Sequence, residues 1–119
     1  MSPKRGEIWL VNLDPTIGAE IKKTRPAIVV SSDVIGKLPL KLVVPLTDWK
    51  SAFLSNLWHV CIELSPDNRL SKTSAGDVLQ MRSVDTQRFV RKLGVLSEDD
   101  LIEISLAIAV IVEYPEKGS

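Results

Sequence analysis

The alternation of hydrophobic and polar residues along the chain predicts a mostly β protein with one helix at its C-terminal end. Short apolar runs are separated by proline, glycine, asparagine and aspartate, which is typical of strands joined by turns. The predicted strands are 7–13, 25–31, 40–47, 58–64, 77–82 and 89–96, with helical turns at 33–37 and 83–88. This order of elements predicts a fold that is mainly β with α, in which the strands form a small barrel-like sheet and a helix is added at the C-terminal end.

The C-terminal helix is expected over residues 97–112. Ser97 is followed by three acidic residues, which are favourable in the first turn of a helix because of its dipole. From residue 101 onward the helix is apolar almost all round, and a chain this small has little core to cover every side of it. The pattern therefore predicts that the helix forms a subunit interface in a homodimer.

The second predicted strand begins with an arginine on a rigid support. The apolar run 27–30 is continuous rather than alternating, which predicts a strand covered on both faces. Pro26 keeps Arg25 in an extended conformation at the beginning of this strand. The guanidinium of Arg25 could bind a phosphate through two parallel hydrogen bonds, or it could form a surface ion pair.

Two further segments contain candidate functional residues. The loop 14–24 is longer than most hairpin connections, and it suits either a flap that closes over a polymeric anion or a solvated loop. It contains Gly18, Glu20, Lys22 and Lys23. Thr47 ends the third strand, either as a β-favoured residue or as a side chain that emerges from the core. Trp49 and Phe53 then either stack on bases or form a minor core.

The length of the chain and the distribution of its charges indicate how many domains it has and which partners it could bind. The chain has 119 residues and a mass of 13.2 kDa, so a single domain over 1–119 is expected. It has 15 basic and 15 acidic side chains, but residues 97–119 carry six acids and one lysine. The excess of positive charge in residues 1–96 is compatible with binding the backbone of RNA or DNA.

The single cysteine, Cys61, lies in an apolar run and is expected to be a small buried hydrophobe. With no disulfide available within the chain, a reduced, cytoplasmic setting is expected. His59 is the only histidine, and a lone histidine is more often structural than catalytic. No cluster has metal-ligand spacing, so neither a metal nor a cofactor is expected. The apolar run 107–112 is too short to span a membrane.

Five short motifs, taken in order, are similar to those of one known family. They are Arg-Gly-Glu-Ile-Trp at 5–9, Leu-Asp-Pro-Thr-Ile-Gly-x-Glu at 13–20, Thr-Arg-Pro at 24–26, Pro-Leu-Thr at 45–47 and Gln-x-Arg-x-x-Asp at 80–85. Over essentially the whole chain, these motifs resemble the MazF/PemK (Kid) family of toxin endoribonucleases. The block from residue 5 to residue 26 is the most specific part of the resemblance.

The resemblance implies an SH3-like (CcdB/PemK-like) barrel that forms a homodimer and cuts single-stranded RNA, such as mRNA, at short sequences without a metal. The cut is made by internal attack of the ribose 2′-OH, and a cognate antitoxin blocks the site. Arg25 and Thr47 match the catalytic pair of the family. The residues expected to bind and position the RNA are Glu20, Lys22, Lys23, Thr24, Gln80 and Arg82.

Three positions depart from the family pattern, namely Ala19, Ile21 and Leu79. These departures leave open which group removes the proton from the 2′-OH. An alternative function is that of a non-enzymatic toxin resembling CcdB, which binds DNA gyrase. The presence of Arg25 and Thr47, and the lack of an aromatic ending in residues 114–119, favour the nuclease.

Overall fold

The computed structural model describes residues 2–115. In chain order the strands are β1 (Glu7–Asn12), β2 (Thr24–Val29), β3 (Leu40–Asp48), β4 (His59–Ile62), β5 (Ser74–Asp77), β6 (Arg82–Asp85) and β7 (Phe89–Val95). The helix α1 spans Glu98–Ile111, and short 3₁₀ turns occupy Asp33–Ile35, Ser51–Ser55, Val78–Gln80 and Thr86–Arg88. The prediction of a mainly β fold with a C-terminal helix is confirmed.

The strands form one antiparallel sheet in the order β4-β5-β3-β2-β1-β7, with β6 added on β3. The nine-residue β3 is the central element because it pairs with three other strands. Its beginning pairs with β6, its middle with β2 and its end with β5. β3 therefore joins the part of the sheet formed by β2, β1 and β7 to the part formed by β5 and β4. Thr47 lies near the end of β3, where this strand pairs with β5.

Two hydrophobic clusters cover the two faces of the central strands. Ile28 packs in the cluster that includes Ile104 of the helix, whereas Ala27 and Val29 pack in the cluster around Trp9. Successive side chains of a strand point to opposite faces, so a strand covered on both sides must be apolar at every position. The prediction of a doubly covered strand at 27–30 is confirmed, since all four residues are buried.

The sequence prediction was wrong between residues 77 and 88. The expected strand 77–82 is instead the end of β5, a 3₁₀ turn and the start of β6. Ser-Ala-Gly is a weak strand sequence. At Gly76 a Cβ would lie 2.7 Å from Cδ1 of Ile104, so any larger residue there would displace the end of that side chain. The expected helical turn 83–88 is half strand, because Val84 enters the core beside β3.

Cys61 is exposed, so the prediction of a buried cysteine was also wrong. On the short outer strand β4, Ile62 takes the core position and Cys61 points to the other side. Partial burial raises the pKa of the Cys61 thiol, and the charge of Glu63, its hydrogen bond to Cys61 and the charge of Asp100 add to this effect. The thiol is therefore a poor nucleophile at neutral pH.

The helix begins as predicted, with the hydroxyl of Ser97 accepting a hydrogen bond from the amide of Asp100 at 3.1 Å. Only one side of the helix is covered by the chain's own core. Ile104 is completely buried there, whereas Leu106 is 55% exposed, and Ile102 and Val110 are exposed as well. Within the described residues, no helix is long and apolar enough to cross a membrane.

Glu7 is held by a small hydrogen-bonded network at the beginning of β1. Its carboxylate accepts hydrogen bonds from the amide of Lys4 and from Nε1 of Trp9, and it lies 3.0 Å from Nζ of Lys92. Burial by itself would raise the pKa of Glu7, but the hydrogen bonds from Lys4, Trp9 and Lys92 outweigh it and lower the pKa. Ionised Glu7 therefore stabilises the fold.

We expect Glu7→Gln to lower the free energy of unfolding at pH 7 by about 1 kcal/mol, a modest value because Lys92 is half exposed. A lowered pKa contributes stability above the unfolded-state value of about 4.3, and this contribution is lost as pH falls through the folded-state value. Urea unfolding between pH 3 and 8 should show the two proteins converging at low pH. A difference that stays constant over this range would contradict the assignment.

Candidate functional site

Arg25 and Thr47 lie on the neighbouring strands β2 and β3. The paired part of these strands ends at Ala27 and Pro45, two residues from Arg25 and from Thr47. Both side chains line the same two adjoining cavities. Nε of Arg25 donates a hydrogen bond to the carbonyl oxygen of Lys22 at 3.0 Å. Its two terminal nitrogens make no hydrogen bond within residues 2–115, so they are available for an anion.

The first cavity, of about 300 Å³, is rich in positive charge and is called the basic cavity here. Besides Arg25 it is lined by Arg69, Arg91 and Lys72, the last of which pairs with Asp48 at 2.9 Å. Sequence reasoning missed Arg69 and Arg91. They come from a turn and from β7, distant from Arg25 along the chain, and no local motif indicates that they meet.

The second cavity, of about 390 Å³, is called the polar cavity and lies on the other side of the Arg25–Thr47 pair. Its lining residues are Ala19, Ile21, Arg25, Thr47, Asp48, Lys50, Phe53, His59, Asp77 and Gln80. Four of them, Ala19, Ile21, Arg25 and Gln80, come from loop 14–24 or form a hydrogen bond with it. Sequence reasoning did not place His59 here and did not single out Asp77 at all.

His59 is fixed from three sides. Its Nε2 lies 3.4 Å from Oδ2 of Asp77, and its Nδ1 lies 3.1 Å from Nδ2 of Asn56. The imidazole stacks on Phe53 with ring centroids 3.7 Å apart, and Trp49 meets Phe53 edge to face. The amide of Asn56 donates to Nδ1, and Nε2 lies on the side of Asp77.

Gln80 fastens loop 14–24 over the polar cavity. Its Nε2 donates to the carbonyl oxygen of Ala19 at 3.0 Å, and its Oε1 accepts from the amide of Ile21 at 3.1 Å. Backbone contacts of this kind do not depend on the side chain at 21. Gln80 was expected to contact RNA, and the structure places it both in the cavity lining and under the loop.

Two arginines hold the first end of the same loop. Arg82 donates to the carbonyl oxygen of Leu13 at 3.0 Å, and Arg88 donates to the carbonyl oxygens of Asn12 and Asp14. An arginine is suited to this work because several N–H groups can bind several carbonyl oxygens at once. Arg82, another residue expected to bind RNA, is thus engaged in positioning the loop.

The remaining predicted residues lie on the loop itself. The carboxylate of Glu20 accepts a hydrogen bond from the amide of Ile17 at 2.7 Å, within the loop. Lys22, Lys23 and Thr24 are exposed and lead into β2 directly before Arg25. Among the residues described, no group of three His, Cys, Asp or Glu side chains could hold a metal ion.

Residues 4–112 match the family model described as PemK-like, MazF-like toxin of type II toxin–antitoxin system. The chain belongs to this family. Among its relatives, the protein named endoribonuclease MazF9 of Mycobacterium tuberculosis is 32% identical over 112 residues, which cover 88% of this chain and 92% of that protein. Endoribonuclease MazF of Staphylococcus epidermidis is 32% identical over 109 residues, covering 90% and 88%.

Solved structures agree with the fold of this PemK/MazF family member. The crystal structure of MazF from Deinococcus radiodurans gives a TM-score of 0.77 at 22% identity, covering 95% of this chain and 98% of that chain. An endoribonuclease from a mycobacterial species, solved in complex with its cognate antitoxin, gives 0.76 at 16% identity, covering 97% and 99%. At these identities the likeness concerns the fold alone.

Proposed function

We propose that this protein is a toxin endoribonuclease that cuts single-stranded RNA at short sequences and is neutralised by a cognate antitoxin. The observation that carries the proposal is that Arg25 and Thr47 line the same two cavities. Support comes from the relatives named endoribonuclease MazF, which match most of the chain. An antitoxin partner is supported by the structural relatives solved with theirs.

The reaction is internal attack of the ribose 2′-OH on the adjacent phosphorus. Negative charge builds up on the non-bridging oxygens, and the two terminal nitrogens of Arg25 can donate to these oxygens as a fork. The hydroxyl of Thr47 donates to the same phosphate from the neighbouring strand. The products are a 5′-OH and a 2′,3′-cyclic phosphate or the 3′-phosphate that its hydrolysis gives.

The RNA strand runs from the basic cavity, past Arg25 and Thr47, into the polar cavity. Arg69 and Arg91 hold phosphates of the strand in the basic cavity, since phosphate contacts supply most of the sequence-independent affinity. On the other side, loop 14–24 covers the strand. Its contacts come from Glu20, Lys22, Lys23 and Thr24, while Gln80 and Arg82 hold the loop in place.

The function is tested by incubating the purified protein with a long RNA of mixed sequence in the presence of EDTA and mapping the ends that form. We expect cuts at a few recurring short sequences, with a 5′-OH on each downstream fragment. If the RNA stays intact while the protein binds and inhibits DNA gyrase, the non-enzymatic alternative is correct and the nuclease proposal is wrong.

The apolar face of α1 supports the proposal of a homodimer. Leu106 and Val110 line an apolar cavity together with Leu54, Leu57 and other residues of the loop before β4. All four are exposed in the single chain. Exposed apolar side chains grouped in this way are typical of a surface that a partner covers. Ile104 does not face a partner, because the chain's own core buries it.

We expect Leu106→Asp to convert the protein to a folded monomer, because an unpaired charge in an apolar interface costs several kcal/mol, on the order of 3 to 5. Ile104→Asp should instead unfold the chain, since it places the same charge in the core. Light scattering at micromolar concentration measures the mass, and circular dichroism measures the fold. A wild-type protein that is already monomeric would contradict the dimer.

A further inference from the structure

Asp77 is a carboxylate in the polar cavity to which the mechanism so far gives no role. It ends β5, and His59 lies directly opposite it on β4. Its side chain is 13% exposed, and one oxygen, Oδ2, faces the imidazole. The other oxygen, Oδ1, is buried and has no hydrogen-bond partner among residues 2–115. Asp77 is thus short of one hydrogen bond, and the exposed part of the residue lines the polar cavity.

Asp77 and Thr47 present their side chains on the same face of the sheet. Thr47 pairs with Ala75 across β3 and β5, and Asp77 lies two residues beyond Ala75 on that strand. Residues two apart on a strand share a face, and diagonal neighbours on paired strands lie about 7–8 Å apart. Asp77 is thus the diagonal neighbour of Thr47, and both line the polar cavity with Arg25.

That spacing fits a ribose 2′-oxygen and its adjacent phosphate placed between the two side chains. A general base must lie about 3 Å from the oxygen that it deprotonates, and an oxyanion donor about 3 Å from the oxygen that gains charge. The 2′-oxygen and the phosphate are neighbours in the substrate, whereas the edge of a nucleobase lies on the far side of the ribose. A carboxylate this close to Thr47 is therefore better placed for the 2′-OH than for a base.

His59 is not the base itself, because both of its ring nitrogens are engaged. Asn56 donates to Nδ1, and Nε2 lies 3.4 Å from Oδ2 of Asp77. Stacking on Phe53 fixes the plane of the ring. His59 is a positioning residue that holds the carboxylate of Asp77 toward the cavity.

We propose that Asp77 is the general base of the RNA cleavage and that His59 positions it; this rests on the proposed function. The carboxylate of Asp77 takes the proton of the 2′-OH while the 2′-oxygen bonds to phosphorus. The bond from phosphorus to the 5′-oxygen breaks, and that oxygen takes a proton from water. Asp77 then returns its proton to solvent, so the step consumes no further reactant.

The experiment uses a short RNA that spans a site mapped with the wild-type protein, at saturating protein and in a single turnover. Asp77→Asn and Asp77→Ala are expected to cut about 10²- to 10⁴-fold more slowly. Their affinity for the same RNA with a 2′-deoxy residue at the cut should stay within about threefold, because the change acts on the transition state. Asp99→Asn, which removes an acid from the exposed first turn of α1, is the matched control and should cut normally.

Two further readouts separate a base from a structural residue. Added formate should restore part of the rate of Asp77→Ala, because a free carboxylate can take the vacant place, and it should not affect the wild type. His59→Gln keeps an N–H donor and should cut faster than His59→Leu, with equal affinity for the deoxy RNA.

Three results would overturn the role of Asp77 as the base without refuting the proposed function. If the folded Asp77→Asn and Asp77→Ala proteins cut RNA at the wild-type rate, Asp77 takes no part in the reaction. Rapid cutting by Asp77→Asn at a different set of sequences would make Asp77 a reader of bases instead. Slow cutting by Asp77→Ala that formate cannot restore would make it structural. Failure of the wild type to cut any RNA would refute the proposed function and the base together.

Discussion

Arg25→Ala is expected to lower the single-turnover rate of RNA cleavage by about 10²- to 10³-fold. The two terminal nitrogens of Arg25 have no partner within the described part of the chain, so they can stabilise charge that forms only in the transition state. The fold should persist, because the side chain is half-buried at a strand end and packs in neither hydrophobic cluster. The rate is measured at saturating protein on an RNA with one cleavage site.

Arg25→Lys and Lys37→Ala are the controls for this change. Lysine keeps the charge but not the planar fork, so Arg25→Lys should fall between the wild type and Arg25→Ala. Lys37 is exposed and lines neither cavity beside Thr47, so Lys37→Ala tests the loss of one positive charge elsewhere and should cut normally. Cutting at the wild-type rate by a folded Arg25→Ala protein would remove Arg25 from the active site.

A single 2′-deoxy nucleotide on the 5′ side of the cleavage point is expected to abolish cleavage at that bond. The proposed nucleophile is the 2′-oxygen of the substrate, and holding it in line with the scissile bond lowers the barrier through orientation alone. The deoxy RNA should still bind, because the proposed contacts of Arg25, Arg69 and Arg91, which line the basic cavity, are to phosphates. Gel electrophoresis measures cleavage, and fluorescence anisotropy measures binding.

The all-ribose RNA is the matched control, and both RNAs are tested with and without EDTA. Equal cutting of the all-ribose RNA in the two conditions is expected, because the charge on the phosphate is stabilised by Arg25 and Thr47. Cutting of the deoxy RNA would make water the nucleophile. Loss of all cutting on addition of EDTA would show that a metal ion takes part. Either result contradicts the mechanism.

Much of the architecture followed from local patterns. The doubly buried strand at 27–30, the helix that begins after Ser97 and the long loop before Arg25 were all predicted correctly. In each case neighbouring residues carry the signal, such as a continuous apolar run or a capping serine followed by acids. The errors at 77–88 arose where the signal is not local. Gly76 belongs to a strand because it pairs with Leu46 and Val60, which are distant along the chain.

The residues of the candidate site likewise fall into those that a local sequence signal marks and those that only the fold brings together. Arg25 and Thr47 could be proposed from short motifs, because Pro26 and a strand end mark their positions in the sequence. Nothing near His59 indicated Asp77, and nothing near Arg25 indicated Arg69 or Arg91, so these residues became visible only in the folded chain.

The sequence by itself determined the mainly β class, the family and the long loop that leads to Arg25. Only the tertiary structure decided that Gln80 and Arg82 fasten this loop, that His59 faces Asp77, and that the outward side of the helix runs through Leu106 rather than Ile104. The physical reason is that a turn, a cap or an apolar period is set by residues within a few positions of one another. Strand register and burial are set instead by pairings between distant segments, which no single segment specifies.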